Sequence, residues 1–247
     1  MSIINTIDEV ELIRPELVPN ICLKDDSSSK IPKIIHQIWL GKPLPFNYRK
    51  LCRSWEMHHP KWTYKLWTDA DADRIHIGRR DLYDRATNQG MRSDILRYEI
   101  LRQFGGLYVD TDFVCLKPFN DLMFLDFFTG VGYDGSMQLY IGLIATVPNH
   151  PILNASCLMY ENAEYSGHKA SSIMNATGAN HFTKVFLKTT TKDTKGVVAF
   201  PTDFFYPFPN SVRGEKMTAS KYITDASYAI HLWETSWIST KHPGNKI

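Results

Sequence analysis

The 247-residue chain has no apolar run that approaches the roughly 18 residues a membrane-spanning helix needs. Its opening residues, MSIINTIDEVELIRPE, bring in acids early and lack the apolar stretch of a secretory leader, so no leader is expected. Only four cysteines occur, Cys22, Cys52, Cys115 and Cys157, and no two stand at C-x-x-C spacing. That argues against a zinc knuckle or a dithiol redox motif and predicts reduced, buried thiols. Neither charge sign dominates: 28 Lys and Arg stand against 26 Asp and Glu, a formal net charge of +2. Binding of long nucleic acids favours a clear basic excess, so no nucleic-acid partner is expected. No repeat or low-complexity tract is present. The expectation is a soluble, cytoplasmic protein, compatible with contact at a membrane surface.

What is present is ordinary for a globular α/β protein: 43% hydrophobic and 22% charged residues, with a high aromatic share of 13%. Residues 1–30 read as an arm, with Pro15, Pro19 and the polar run DDSSSK. The body, 31–247, is expected to be one domain. KIIHQIWLG (33–41) reads as a buried strand running into a glycine turn. Residues 46–58 carry a helical pattern ended by Pro60, and WTYKLWTD (62–69) alternates like a second strand, with Asp69 placed to cap the next turn. MRSDILRYEILRQFGG (91–106) predicts a helix with Ser93 as N-cap and the Gly105–Gly106 pair as its stop. LYVDTDFVCL (107–116) follows as a third strand. Weaker signals put a strand near 138–147, a helix after Pro151, a helix over 180–188, a strand at 197–200, an aromatic loop at 201–209 and a strand that opens into a loop over 228–237. The order strand, helix, strand, helix, strand predicts an open, mixed, Rossmann-like sheet flanked by helices.

Residues two apart in a strand share a face. A continuous strand over 107–116 would therefore set Tyr108, Asp110 and Asp112 on one side. Paired carboxylates repel when they are dry and unpaired. Water at an open edge relieves that, and so does a hard divalent ion such as Mn²⁺ or Mg²⁺, which favours oxygen ligands. A lone D-x-D is a weak signal, but this one sits at the C-terminal end of an apolar strand, where open α/β sheets bind ligands. In the preceding helix, Asp94 and Arg97 are three apart and share a face. Spacing alone makes them a surface ion pair; a phosphate or sugar site would use the same groups. No side chain stands out as a covalent nucleophile.

The ordered set IPKIIHQIWLG (31–41), SW with P-x-W-x-Y-x-LWTD (54–69), SDILRYEIL (93–101), GGLYVDTD (105–112), the Thr177–Gly178 pair and H-x-x-x-x-SW (231–237) resembles the D-x-D sugar-transferase family. Fungal α-1,6-mannosyltransferases, inositol-phosphoceramide mannosyltransferases and bacterial capsule and lipopolysaccharide transferases belong to that family; the large clostridial glucosylating toxins are distant relatives. The resemblance implies a GT-A-like fold and a retaining, metal-dependent transfer of a hexose from a nucleoside-diphosphate sugar to a hydroxyl acceptor. That acceptor would be a glycan or glycolipid first and a protein second.

Carried over by position, Trp39 is implied to stack on the base, Ser93, Asp94 and Arg97 to meet the donor sugar and phosphate, and Tyr108 to meet the nucleotide. Asp110 is implied near ribose and sugar, and Asp112 as the direct metal ligand. The tail from 231 is implied to be a lid, with His231 and Glu234 as competing metal ligands and Ser236 and Trp237 near the diphosphate. Two departures, Ala179 in place of a Pro after the Thr–Gly pair and YIGLIAT (140–146) where many members place an Asn before the strand, border the acceptor side. A metal-dependent nucleotide-sugar hydrolase and a degenerate binding module remain the rival readings.

Overall fold

The computed structural model describes residues 29–133, 136–160 and 170–234. The expected arm therefore lies almost wholly outside the described residues, as does the tail from 235.

The chain enters the core at Ile31 and forms β1 (Ile34–Ile38), whose residues are buried from Ile35 onward. Helix α1 (Phe46–His58) buries Tyr48, Cys52 and Trp55, spaced four and three apart so that they fall on one face. Strand β2 (Thr63–Trp67) follows, then the short helices α2 (Asp69–Ala72) and α3 (Arg80–Arg85). The long helix α4 (Gln89–Phe104) leads into β3 (Gly106–Val109) and β4 (Phe113–Cys115). A hairpin of β5 (Phe127–Tyr133) and β6 (Met137–Thr146) comes next. Helices α5 (Pro151–Leu158), α6 (Ala170–Ala176) and α7 (Ala179–Thr189) precede β7 (Val197–Phe200), α8 (Thr202–Phe205) and β8 (Ala229–His231).

Six strands form one sheet in the order β2-β1-β3-β6-β5-β7, and β4 pairs with β8 in a second. In the large sheet β6 runs antiparallel to both its neighbours, while β2, β1 and β3 are mutually parallel and β5 is parallel to β7. The pleat splits the core in two. Tyr108 packs with Ile95, Tyr98, Leu101 and Phe182 on the α4 side. Leu107 and Val109 pack with Trp55, Phe113, Phe128 and Phe205 on the α1 side. The expected mixed sheet flanked by helices is what forms.

Four local expectations are corrected. The segment 107–116 is not one strand: β3 stops at Val109, β4 starts at Phe113 in the other sheet, and Asp110–Asp112 is the turn between them. Helix α4 begins at Gln89 with Asn88 as its cap, whose side chain accepts from the Gly90 N–H at 2.7 Å; Ser93 lies inside the helix. Thr68, not Asp69, precedes α2: its N–H and hydroxyl both donate to Asp71 Oδ2, while Asp69 accepts from the Gly41 N–H at 2.8 Å. The aromatic loop contains α8, and β5 is a strand that the sequence pattern did not suggest. Cys52, Cys115 and Cys157 are buried free thiols, as expected.

Candidate active site

Two glycines make the approach to the site possible. Gly105 and Gly106 both have positive φ, 62° and 93°, and a Cβ on Gly106 would stand 2.7 Å from the Ile34 carbonyl. Larger residues cannot turn the end of α4 straight into a strand packed this closely on β1. Four residues later the chain leaves the sheet at Asp110, whose N–H donates to the Gly142 carbonyl at 2.8 Å.

That carbonyl is available because β6 is irregular there. Thr129 pairs with Ile144 and Gly130 with Tyr140, so Ile141–Leu143 bulges away from β5. The Thr129 hydroxyl fills the gap, lying 2.9 Å from the carbonyls of both Tyr140 and Leu143. The bulge leaves the Gly142 carbonyl to the D-x-D turn and the Ile141 carbonyl to the Arg97 guanidinium, the kind of re-aiming that bulges provide beside functional sites. Gly142 matters a second way. A Cβ there would meet Asp110 Oδ2 at 2.9 Å and the Tyr206 hydroxyl at 3.4 Å, so glycine leaves the space that the carboxylate fills.

Arg97 is the centre of the buried electrostatics, with 4% of its surface exposed. One terminal nitrogen donates to the Ile141 carbonyl, and the other lies 3.2 Å from Asp94 Oδ1 and 3.3 Å from Asp110 Oδ1. Its guanidinium stacks 4.4 Å from the centroid of the Tyr108 ring, and the Tyr108 hydroxyl donates to Asp110 Oδ1 at 2.7 Å. Asp94 accepts a further hydrogen bond from the Thr177 hydroxyl at 2.9 Å, which ties α4 to the Thr177–Gly178 turn. Burial pushes the Asp94 carboxyl up to about 6 despite the adjacent arginine. The expected surface ion pair is thus a buried network, in which Arg97 Nε is left without a hydrogen-bond partner.

Asp112 is held from the other side. Its Oδ1 lies 2.9 Å from His231 Nε2, and its Oδ2 accepts from the Glu234 N–H at 2.8 Å. Burial pushes its carboxyl up, but His231 and these hydrogen bonds outweigh that and leave it below the usual range. Asp110 goes the other way: burial dominates Arg97 and raises it. His231 arrives on β8 and stacks on Phe113, ring centroids 4.3 Å apart, with Trp233 4.0 Å away on the next turn of chain.

The donor chemistry fits a divalent ion. Asp110, Asp112 and His231 each offer one ligand atom, all within 4.8 Å of one another, and His231 Nδ1 is buried with no hydrogen-bond partner. Two carboxylates and an imidazole suit Mn²⁺ or Mg²⁺, the first taking nitrogen more readily. Of the two competing ligands, His231 falls in this cluster. The Glu234 carboxylate instead pairs with Lys216, and only its backbone N–H reaches Asp112.

Trp39 stands at the end of β1, half-buried, with its ring 4.7 Å from that of Tyr48 and its indole nitrogen buried and unpaired. Ser93 is half-buried on α4, beside the Tyr108 hydroxyl. Tyr108 itself is 1% exposed, in contact with Asp110 and Arg97. Ser236 and Trp237, and with them most of the expected lid, lie outside the described residues. Sequence reasoning missed Thr177 as the partner of Asp94, Gly142 as the space for Asp110, and Tyr206 as its neighbour. The first two stand in segments whose pattern already drew notice; Tyr206, in an aromatic run, carried no signal.

Residues 45–127 match the family described as a glycosyltransferase sugar-binding region containing a DXD motif. An uncharacterized glycosyltransferase of Acanthamoeba polyphaga mimivirus is 32% identical over 177 residues, covering 67% of this chain and 66% of that protein. Inositol phosphoceramide mannosyltransferase 3 of Schizosaccharomyces pombe is 32% identical over 120 residues, 47% of this chain and 33% of that one. The chain therefore spans between a third and two thirds of these relatives' lengths. Among solved structures, the ligand-free glycosyltransferase domain of the YGT toxin superposes with a TM-score of 0.52 at 10% identity, over 79% of this chain and 87% of that domain, a likeness of fold alone. With the motif at Asp110–Asp112 inside the matched region and a glycosyltransferase relative 32% identical over 67% of the chain, the chain belongs to the DXD-containing glycosyltransferase family.

Proposed function

We propose that the protein transfers a hexose, with retention, from a nucleoside-diphosphate sugar to a hydroxyl acceptor, a glycan or glycolipid before a protein, and that it needs a divalent ion to do so. The reading rests chiefly on one observation: Asp110, Asp112 and His231 converge on a common point beside a buried arginine.

Mn²⁺ or Mg²⁺ held by Asp112 and His231, with Asp110 beside them, would supply positive charge to a departing diphosphate. The protein's own groups do the rest. Arg97 holds Asp94 and Asp110 by charge and adds a fixed positive centre behind the turn. Asp94 and Asp110 are assigned to sugar and ribose hydroxyls, with Ser93 beside them. Trp39 is assigned to the base and Ser236 and Trp237 to the diphosphate. In the transfer the bond from the anomeric carbon to the phosphate oxygen breaks, the acceptor oxygen bonds on the same face, and the acceptor proton leaves with the diphosphate. Among the described residues no helix is long and apolar enough to cross a membrane.

The test is turnover of UDP- and GDP-sugars with Mn²⁺, with and without glycan and glycolipid acceptors, for the natural protein and Asp112→Ala. Acceptor-dependent transfer that Asp112→Ala abolishes, with the fold intact, is the expected result. Full activity in Asp112→Ala would remove the metal assignment, and sugar release indifferent to acceptor would make the protein a hydrolase.

A further inference from the structure

Helix α1 (Phe46–His58) has two distinct faces. Its inward face is set by Tyr48, Cys52 and Trp55. At 100° per residue the direction opposite to those three is occupied by Phe46, Lys50, Arg53 and Met57. Phe46 and Met57 are 72% and 73% exposed, a high value for large apolar groups at both ends of one stripe. Lys50 and Arg53 lie exposed between them, and Lys50 reaches over the Phe46 ring. Arg49 flanks the stripe, and Lys42 and Lys61 extend it beyond either end of the helix; all three are exposed. Residues 42–61 hold five Lys and Arg against a single acid, Glu56, in a chain whose total formal charge is only +2.

We propose that this face docks the protein on an anionic lipid surface. Cations alone would suit many acidic partners. The pairing with two protruding apolar side chains favours a bilayer interface, where Phe and Met enter the acyl boundary while Lys and Arg stay among the headgroups. Each basic residue near such a surface adds affinity, and exposed charges act together. The orientation is useful to the site. The inner face of α1 carries Tyr48 against Trp39, and the Trp55 indole donates to the Phe113 carbonyl, one residue past Asp112. A membrane-bound α1 would thus stand between the headgroup layer and the D-x-D turn. The inference stands apart from the transferase reading, since vesicle binding requires no turnover.

Co-sedimentation of the full chain with vesicles tests it, comparing phosphatidylcholine alone with phosphatidylcholine containing about 30% phosphatidylserine. The expected result is binding to the anionic vesicles only, lost at about 0.5 M salt, where exposed charges are screened. The pair Lys50→Glu with Arg53→Glu should weaken it by more than about tenfold. Phe46→Ser with Met57→Ser should weaken it without changing its salt dependence, and Lys195→Glu with Lys221→Glu should leave it unchanged. If the charge reversals disturb folding, Lys50→Gln with Arg53→Gln replaces them. Equal binding to both vesicle types, no binding to either, or binding indifferent to the α1 variants would overturn the proposal. Retention on heparin or RNA with no vesicle binding would also overturn it.

Discussion

Asp110 is fixed by Tyr108, Arg97 and its own backbone bond to Gly142, while Asp112 is fixed by His231 and the Glu234 N–H. The two acids of the motif are thus held by different parts of the chain. Three substitutions probe this. Gly142→Ala puts a methyl 2.9 Å from Asp110 Oδ2 and 3.2 Å from the Phe113 ring. It should cost on the order of 10- to 100-fold in transfer, because a displacement near 1 Å is expensive in a reacting site; unchanged activity would contradict the tight fit. Arg97→Met leaves Asp94 and Asp110 without their counter-charge, and denaturant unfolding should show a loss of about 3–5 kcal/mol. Thr177→Val strips one hydrogen bond from the fully buried end of Asp94 and should cost about 1–2 kcal/mol by the same measurement. At this scale the sequence was legible for residue types and illegible for pairing. Asp94 and Arg97 could be set on one helix face by spacing, but nothing in the spacing says that Thr177, 83 residues away, closes their network.

The elements explain why. The helix α4 was readable because its apolar period and the glycine pair after it agree, and the glycines are needed: Gly105 and Gly106 adopt φ values that other residues resist. Gly106→Ala should therefore destabilise by about 1–3 kcal/mol, both from its φ and from the Ile34 carbonyl 2.7 Å away, as thermal unfolding would show. The break between β3 and β4 was not readable. Leu107 to Cys115 alternates as one strand does, and only the pairing of β4 with β8, over a hundred residues later, pulls it into a second sheet. The β6 bulge is equally silent in the sequence, since it is defined by register against β5. Strand β5 was missed because two glycines dilute its pattern; Gly130 and Gly132 are required by the rings of Tyr206 and Tyr140 that pack on them.

Across the whole molecule, buried neutral histidines set an acid limit. His36 and His59 each have both ring nitrogens engaged: His36 with the Gly105 carbonyl and the Trp67 indole, His59 with the Trp55 carbonyl and the Phe119 N–H. Burial lowers His36, His59 and His150 from 6.5 to about 4. Unfolded chains therefore take up protons first as the pH falls. The stability these groups support is complete above pH 6.5 and is lost towards pH 4, at up to about 1.4 kcal/mol per pH unit for each. Asp94, raised to about 6, and Asp110, also raised by burial, work in the opposite direction over part of that range, but they are two groups against three. Urea unfolding at pH 7.5 and pH 5 should show lower stability at pH 5; a flat or rising profile would contradict these histidine environments. The central claim, however, is that Asp110, Asp112 and His231 make a metal-dependent donor site. Calorimetric titration of UDP- and GDP-sugars into the protein, with and without Mn²⁺, tests that most directly. The account predicts saturable binding of one nucleotide class that requires the ion and disappears in Asp112→Asn, while that variant keeps its unfolding transition. Equal binding without the ion, or in Asp112→Asn, would contradict it.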